Sequence, residues 1–185
     1  MRYTLLLLSL LLYCMGCKYK NSNHQKTVTE YYSAFDSRDF QKIHHLISDQ
    51  ITLVSGDFTT PYSKDRFYTF YKWDSVFQTN YDLIHLERID DHIKATVSLS
   101  SIRNEYLNNN AMTCAYNIYF DEDKISKIEE LDCTNVNWAD WQSERDTLVD
   151  WIKIHHPELD GFINDMTKKG AQNYLKAIEY YRKAH

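Results

Sequence analysis

Glycine and proline are scarce in this chain, with 4 and 2 among 185 residues. No G-x-G-x-x-G or Walker-type run can be built from them, which excludes the loops that cradle phosphates in nucleotide-binding folds. The eight histidines form no H-E-x-x-H or comparable ligand spacing. The neighbours in His44-His45 and in His155-His156 point about 100° apart on a helix, so each pair offers one inward ring at most. Asp121-Glu122-Asp123 lacks the spacing of a calcium loop and reads as a hairpin turn. No metal and no cofactor is expected. Basic excess is missing too: 21 basic residues stand against 26 acidic ones, a net charge of −5, and phosphate backbones need a basic footprint. Nucleic acid is therefore not an expected partner.

Aromatic residues are plentiful, at 15% of the chain with 15 tyrosines. Such a content predicts a core or cavity walled by large rings rather than by packed aliphatics. Hydrophobic and charged contents of 43% and 25% are ordinary for a globular protein, and the length suits one domain with some added structure.

The N-terminus has Arg2, an apolar run from Leu5 to Tyr13, and then Cys14-Met15-Gly16-Cys17. The run is about half of the roughly 20 residues a spanning helix needs, and it has the length of a signal-peptide core. Residues 1–16 resemble a bacterial lipoprotein signal peptide, cut just before a cysteine that becomes lipid-modified. Gly16 meets the small-residue requirement before Cys17, whereas Tyr13 before Cys14 is too bulky. The resemblance implies several acyl chains on Cys17, palmitate among them. At about 0.8 kcal/mol per buried methylene these would tether the protein durably to a membrane of the cell envelope, facing periplasm or exterior. Cleavage removes one base, Arg2, and no acid, so the mature chain keeps 20 bases against 26 acids, a charge of −6. Residues 17–26 then read as a polar, lipidated tether.

Helical spacing starts after the tether. Val28, Tyr31, Tyr32 and Phe35 recur at helix period, and so do Phe40, Ile43, His44 and Ile47, with capping chemistry in Asp36-Ser37-Arg38-Asp39 between the two sets. A short strand over Ile51–Val54, a turn at Ser55-Gly56-Asp57 and a helix capped by Ser63 follow. The period then changes to two: Tyr81–Arg88, the alternating Ile93, Ala95, Val97 and Leu99, and Met112 to Phe120 read as strands. A turn at Asp121–Lys124 leads into Ile125–Cys133 as a hairpin. The tail returns to helix over Trp138–His155 and again beyond Pro157, with Gly170 as a weak point. Its basic residues are read as a solvated face, and Trp138, Trp141 and Trp151 as pins for an appended helix rather than a sugar platform.

This α+β order is similar to the nuclear transport factor 2-like superfamily, which includes ketosteroid isomerase and the polyketide cyclases. VTEYYSAFDSRDFQKIHHLI, Val28 to Ile47, resembles its opening helices, and YNIYFDEDKISKIEEL, Tyr116 to Leu131, its closing strands. The resemblance implies a cone over residues 27–137, with a curved antiparallel sheet wrapped on N-terminal helices around an apolar cavity. It also implies an open sheet face suited to a protein partner or a homodimer. Residues 138–185 form a helical extension with no counterpart in the minimal fold; it would plug the cavity mouth, cover the sheet or meet a partner.

In the register of that family, Tyr31 falls at the oxyanion tyrosine, Ser55 at the catalytic aspartate, and Tyr116 near the second acid. Asp57, two residues from Ser55, is the only acid near the base position. The missing base favours a non-catalytic domain. Its cavity would be lined by Tyr31, Phe35, Tyr116, Ile118 and Cys114, and would take a small apolar or amphipathic ligand. The alternative is a cyclase- or isomerase-like enzyme using Tyr31 and Asp57. Cys114 and Cys133 allow a disulfide in an oxidising compartment. If Phe120 opposes Ile125, however, the two are diagonal neighbours about 7–8 Å apart, outside disulfide geometry, and only a register shift of two would join them.

Overall fold

A computed structural model of the protein describes residues 23–185. The lipobox and Cys17 lie outside the described residues. Helix α1 covers residues 23–36, so residues 23–26, expected in the tether, form its first turn. The reason is local: the His24 ring stacks on Phe120 at 3.9 Å, and its Nε2 lies 2.9 Å from the Glu122 carbonyl, which ties this turn to the tip of a hairpin.

Helix α2 (Phe40–Leu46) starts where the Asp39 side chain accepts the Lys42 N–H, and it leads directly into β1 (Ile47–Ser55). The turn at Gly56 returns the chain as β2 (Phe58–Ser63), a strand that alternation does not reveal because Pro61 interrupts it. Proline lacks a ladder donor and is tolerated on an edge, which is where β2 lies. Ser63 caps α3 (Lys64–Val76) by accepting the Arg66 N–H. Strands β3 (Asn80–Ile89) and β4 (His92–Ser100), the short helix α4 (Ile102–Tyr106), and strands β5 (Met112–Asp121) and β6 (Lys124–Thr134) complete the cone.

The six strands form one curved sheet in the order β2-β1-β6-β5-β4-β3. Its pairs are antiparallel except β1 with β6, which run parallel, so the sheet is mixed where an antiparallel one was expected. Ile93, Ala95, Val97 and Leu99 face inward from β4 and the residues between them face out, as period two requires. At the end of the cone where α1 begins, Val28, Ile43, Ile47, Ile51, Ile93, Ile118 and Ile125 are fully buried and fill the interior. Each such isoleucine contributes about 1.5–3 kcal/mol by leaving water. The other end of the cone is walled by rings.

The C-terminal segment forms α5 (Trp138–His155), two 3-10 turns at Pro157–Leu159 and Phe162–Asn164, and α6 (Lys168–Ala184). A second core joins it to the domain: Trp73 of α3, Phe77 just past it, and Tyr106 and Leu107 at the end of α4 pack with Leu148, Ile152, Phe162, Tyr174 and Ile178. The extension therefore builds out the helical layer, and neither Trp151 nor Phe162 enters the cavity. Gly170 is a close-approach position rather than a weak point. A Cβ there would lie 2.0 Å from the Asp165 carbonyl oxygen, so any side chain would push α6 off its docking site. Trp141 and Trp151 pack against the second core, while Trp138 is exposed.

Candidate ligand cavity

A cavity of about 400 Å³ opens at the end of the cone opposite the start of α1. The last turns of α1 contribute Tyr31, Tyr32 and Phe35, β2 contributes Tyr62, and α3 contributes Phe70 and Trp73. Tyr81 and Tyr116 enter from the sheet, and Phe58, 78% exposed, and Met166 stand at the rim. Ring packing holds the walls: Phe35 lies 5.1 Å from Tyr81 and 5.5 Å from Tyr71, and Tyr31 lies 5.3 Å from Tyr32.

Of the residues expected at this cavity, Tyr31, Phe35 and Tyr116 line it. Ile118 and Cys114 are instead fully buried in the core and are not among its lining residues. Ile118 pairs with Ile93 and Ile128 nearer the filled end, and the Cys114 sulfur is turned into a bond with Cys133. Asp57 sits exposed on the β1–β2 turn, outside the lining, so an enzyme using Asp57 has no support in the geometry.

Two carboxylates line the cavity nonetheless. Asp74, 7% exposed, accepts from Thr79 Oγ1 at 3.0 Å and from the Tyr81 hydroxyl at 3.0 Å. Burial, opposed by the Thr79 bond, the field of Arg103 and the Tyr81 bond, leaves its carboxyl above the usual carboxylate range. Glu130 accepts from Ser55 Oγ at 2.8 Å and, at 3.5 Å, from the Tyr116 hydroxyl. Glu130 is brought beside Ser55 by the parallel pairing of β1 with β6, which sets Val54 against Glu129. Burial, chiefly, raises the hydroxyl pKa of Tyr31, Tyr81 and Tyr116, so all three stay protonated as donors at neutral pH.

Sequence reasoning passed over Asp74, although a signal was present: Phe67, Phe70, Tyr71, Asp74 and Phe77 share one helical stripe, with a carboxylate on its apolar face. Glu130 shares an inward face with Ile128, which is meaningful only once the strand register is known. Arg103 and Asn104 sit on α4, a five-residue helix too short to show periodicity.

The disulfide expected only with a shifted register is present. Phe120 does oppose Ile125, but irregularities between Tyr119 and Phe120 and between Cys114 and Tyr116 each add one residue on β6, which sets Cys114 opposite Cys133. The two sulfurs and the Glu130 carboxylate lie within 4.8 Å of one another. Because the sulfurs are bonded to each other, they are not thiolate ligands for a metal.

Asp74 carries a pH signature. Its folded pKa lies above the unfolded value, so between the two the native state holds the extra proton. Its contribution to stability therefore falls as pH rises through that window, from the ordinary carboxylate value near 3.9 up to the raised folded value, and then stays level. Asp74→Asn is expected to remove this component. The melting temperature of wild type minus that of Asp74→Asn, followed from pH 3 to 8, should decline with rising pH. A difference that rises with pH would mean that the carboxylate is stabilised, not penalised, in the fold.

No family model matches the chain, and no curated protein matches it. Solved structures do. Bal32a, from a soil-derived mobile gene cassette, superposes with a TM-score of 0.53 at 13% identity, over 66% of this chain and 95% of that one. A candidate polyketide cyclase from Sinorhizobium meliloti gives 0.50 at 9% identity, over 57% and 94%. A candidate ketosteroid isomerase from Kribbella flavida gives 0.50 at 7% identity, over 59% and 76%. Likeness at these identities is a likeness of fold. No helix among the described residues is long and apolar enough to cross a membrane. With its curved mixed sheet, N-terminal helices and open cavity, the chain has the nuclear transport factor 2-like fold, extended by C-terminal helices.

Proposed function

We propose that the protein is a lipid-anchored envelope protein whose cavity takes up a small amphipathic ligand without transforming it chemically. The open, ring-walled cavity carries this reading: it has the size of a small-molecule site, and its hydroxyl-bearing rings suit a ligand with one polar end. Both carboxylates already accept two hydroxyl hydrogen bonds, which fits a structural and recognition role better than that of a free base. A second reading, a proton-transfer enzyme with Asp74 as its acid, is favoured by the raised pKa of that buried carboxyl.

The anchor suits the geometry. Five residues separate Cys17 from the start of α1, six steps that reach at most about 20 Å, so the filled end of the cone would lie near the bilayer. The cavity opens at the other end, about 20 Å further along α1, and would take its ligand from the aqueous side.

N-phenyl-1-naphthylamine, a neutral fluorophore, tests the cavity. One saturable site is expected on the wild type, with affinity lowered at least tenfold by Met112→Trp, which fills the lining. Absence of saturable binding would refute the cavity reading. For the anchor, Cys17→Ala should move the protein from the membrane to the soluble fraction; unchanged membrane retention would refute it.

A further inference from the structure

The cavity contains one base, Arg103. Its guanidinium is clamped over two rings, 4.8 Å from the Trp73 centroid and 5.2 Å from that of Phe77, an arrangement that fixes its plane. Among the described residues it forms no ion pair within 4.0 Å and no hydrogen bond. Asp74, whose carboxyl feels the field of Arg103, accepts from Thr79 on one oxygen and from Tyr81 on the other. The next residue, Asn104, is 4% exposed and also lines the cavity. Its backbone N–H is taken by Ser101 Oγ, but its side-chain amide has no partner among the described residues. The side-chain atoms sealed in protein without a partner are Ser48 Oγ, Arg103 Nε and the Tyr106 and Tyr174 hydroxyls. The Arg103 Nη groups and the Asn104 amide are not among them, and both residues line the cavity. A buried amide and an oriented guanidinium with unused donors form a recognition surface, because polar groups of this kind cost stability unless something accepts from them.

Charged donors in a planar fork match a carboxylate, which can accept both Nη groups at once. Tyr31 and Tyr32 lie on the same lining, whose apolar part includes Phe35, Phe70 and Trp73. A cationic head would instead meet Arg103 with like charge and would have to compete with hydroxyls for Asp74 and Glu130.

We propose that the ligand of this cavity is a small monocarboxylate with an apolar, ring-sized body, its carboxylate held by Arg103 and Asn104 and its body among Tyr31, Tyr32, Phe35 and Phe70. This deepens, and rests on, the ligand-binding reading of the cavity.

Three probes of equal bulk separate the heads: 2-naphthylacetate, 2-naphthylethanol and 2-naphthylethylammonium, titrated calorimetrically into the full-length protein at pH 7. The carboxylate is expected to bind at least tenfold more tightly than the alcohol, and the ammonium more weakly than both. Arg103→Met keeps an apolar stem over Trp73 and should bring the carboxylate-to-alcohol affinity ratio from at least tenfold down to about one. Arg103→Lys, which keeps the charge but not the fork, should retain part of the preference, and it reads out the site if the methionine variant fails to fold. Equal binding of all three heads, tighter binding of the ammonium, or a preference that survives Arg103→Met would overturn this assignment and leave the cavity reading standing. No binding of any probe, together with no saturable binding of the neutral fluorophore, would overturn both.

Discussion

Phe77→Ala is expected to destabilise the protein by about 3–5 kcal/mol, the range for emptying a fully buried aromatic site. In a chain of this size that lowers the melting temperature by about 6–20 °C. Phe77 is 1% exposed and lies just past α3, where three parts of the molecule meet. Its ring packs 4.9 Å from Trp73 and edge-on to Tyr174 of α6 at 5.6 Å, and Arg103 lies over it. Its carbonyl accepts the Ile102 N–H at 3.1 Å, which anchors the entry to α4. Truncation leaves that backbone bond in place and removes the side chain that joins cone to extension. Thermal unfolding should stay a single transition, because α6 shares the second core with α3. A loss under 1 kcal/mol would mean that the second core contributes little to the fold. Trp138→Ala serves as the control: that ring is 52% exposed, and its loss should cost little.

Reduction of the Cys114–Cys133 disulfide is expected to cost about 3 kcal/mol, on a chain-entropy basis for a loop of this size. The corresponding fall in melting temperature is about 6–12 °C. The bond closes 19 residues of hairpin across two irregularities in pairing, and it secures β5 against β6 beside Tyr116 and Glu130. Cys133→Ser should reproduce the loss, and reductant should then have no further effect on the variant. A melting temperature that is unchanged on full reduction, verified by thiol titration, would contradict this account. Such a bond persists in an oxidising compartment.

The legibility of the chain follows the kind of signal each element carries. α5 was readable to the residue because Asn137, Trp138 and the apolar stripe through Leu148 and Ile152 agree locally. β4 and β5 were readable because alternation with one buried face leaves one solution. β2 was hidden by Pro61, and α4 by its five-residue length. At the cavity, Tyr31, Phe35 and Tyr116 were accessible through the resemblance to a known fold. Asp74, Glu130, Arg103 and Asn104 were not, because each is an ordinary polar residue until its neighbours are known.

The sequence by itself determined the α+β order, the inward faces of the strands, the wealth of rings and the scarcity of glycine that rules out phosphate loops. These are local properties, set by period, capping and composition over a few residues. Tertiary structure alone decided that β1 pairs parallel with β6, that two irregularities bring Cys114 to Cys133, and that the extension leaves the cavity open. It also decided which polar groups find partners there. Asp74 meets Tyr81 and Thr79, while Arg103 and Asn104 line the cavity with no side-chain hydrogen bond among the described residues. Such pairings depend on distances between residues far apart in the chain, and the burial that makes an unpaired donor costly exists only once the cone has closed.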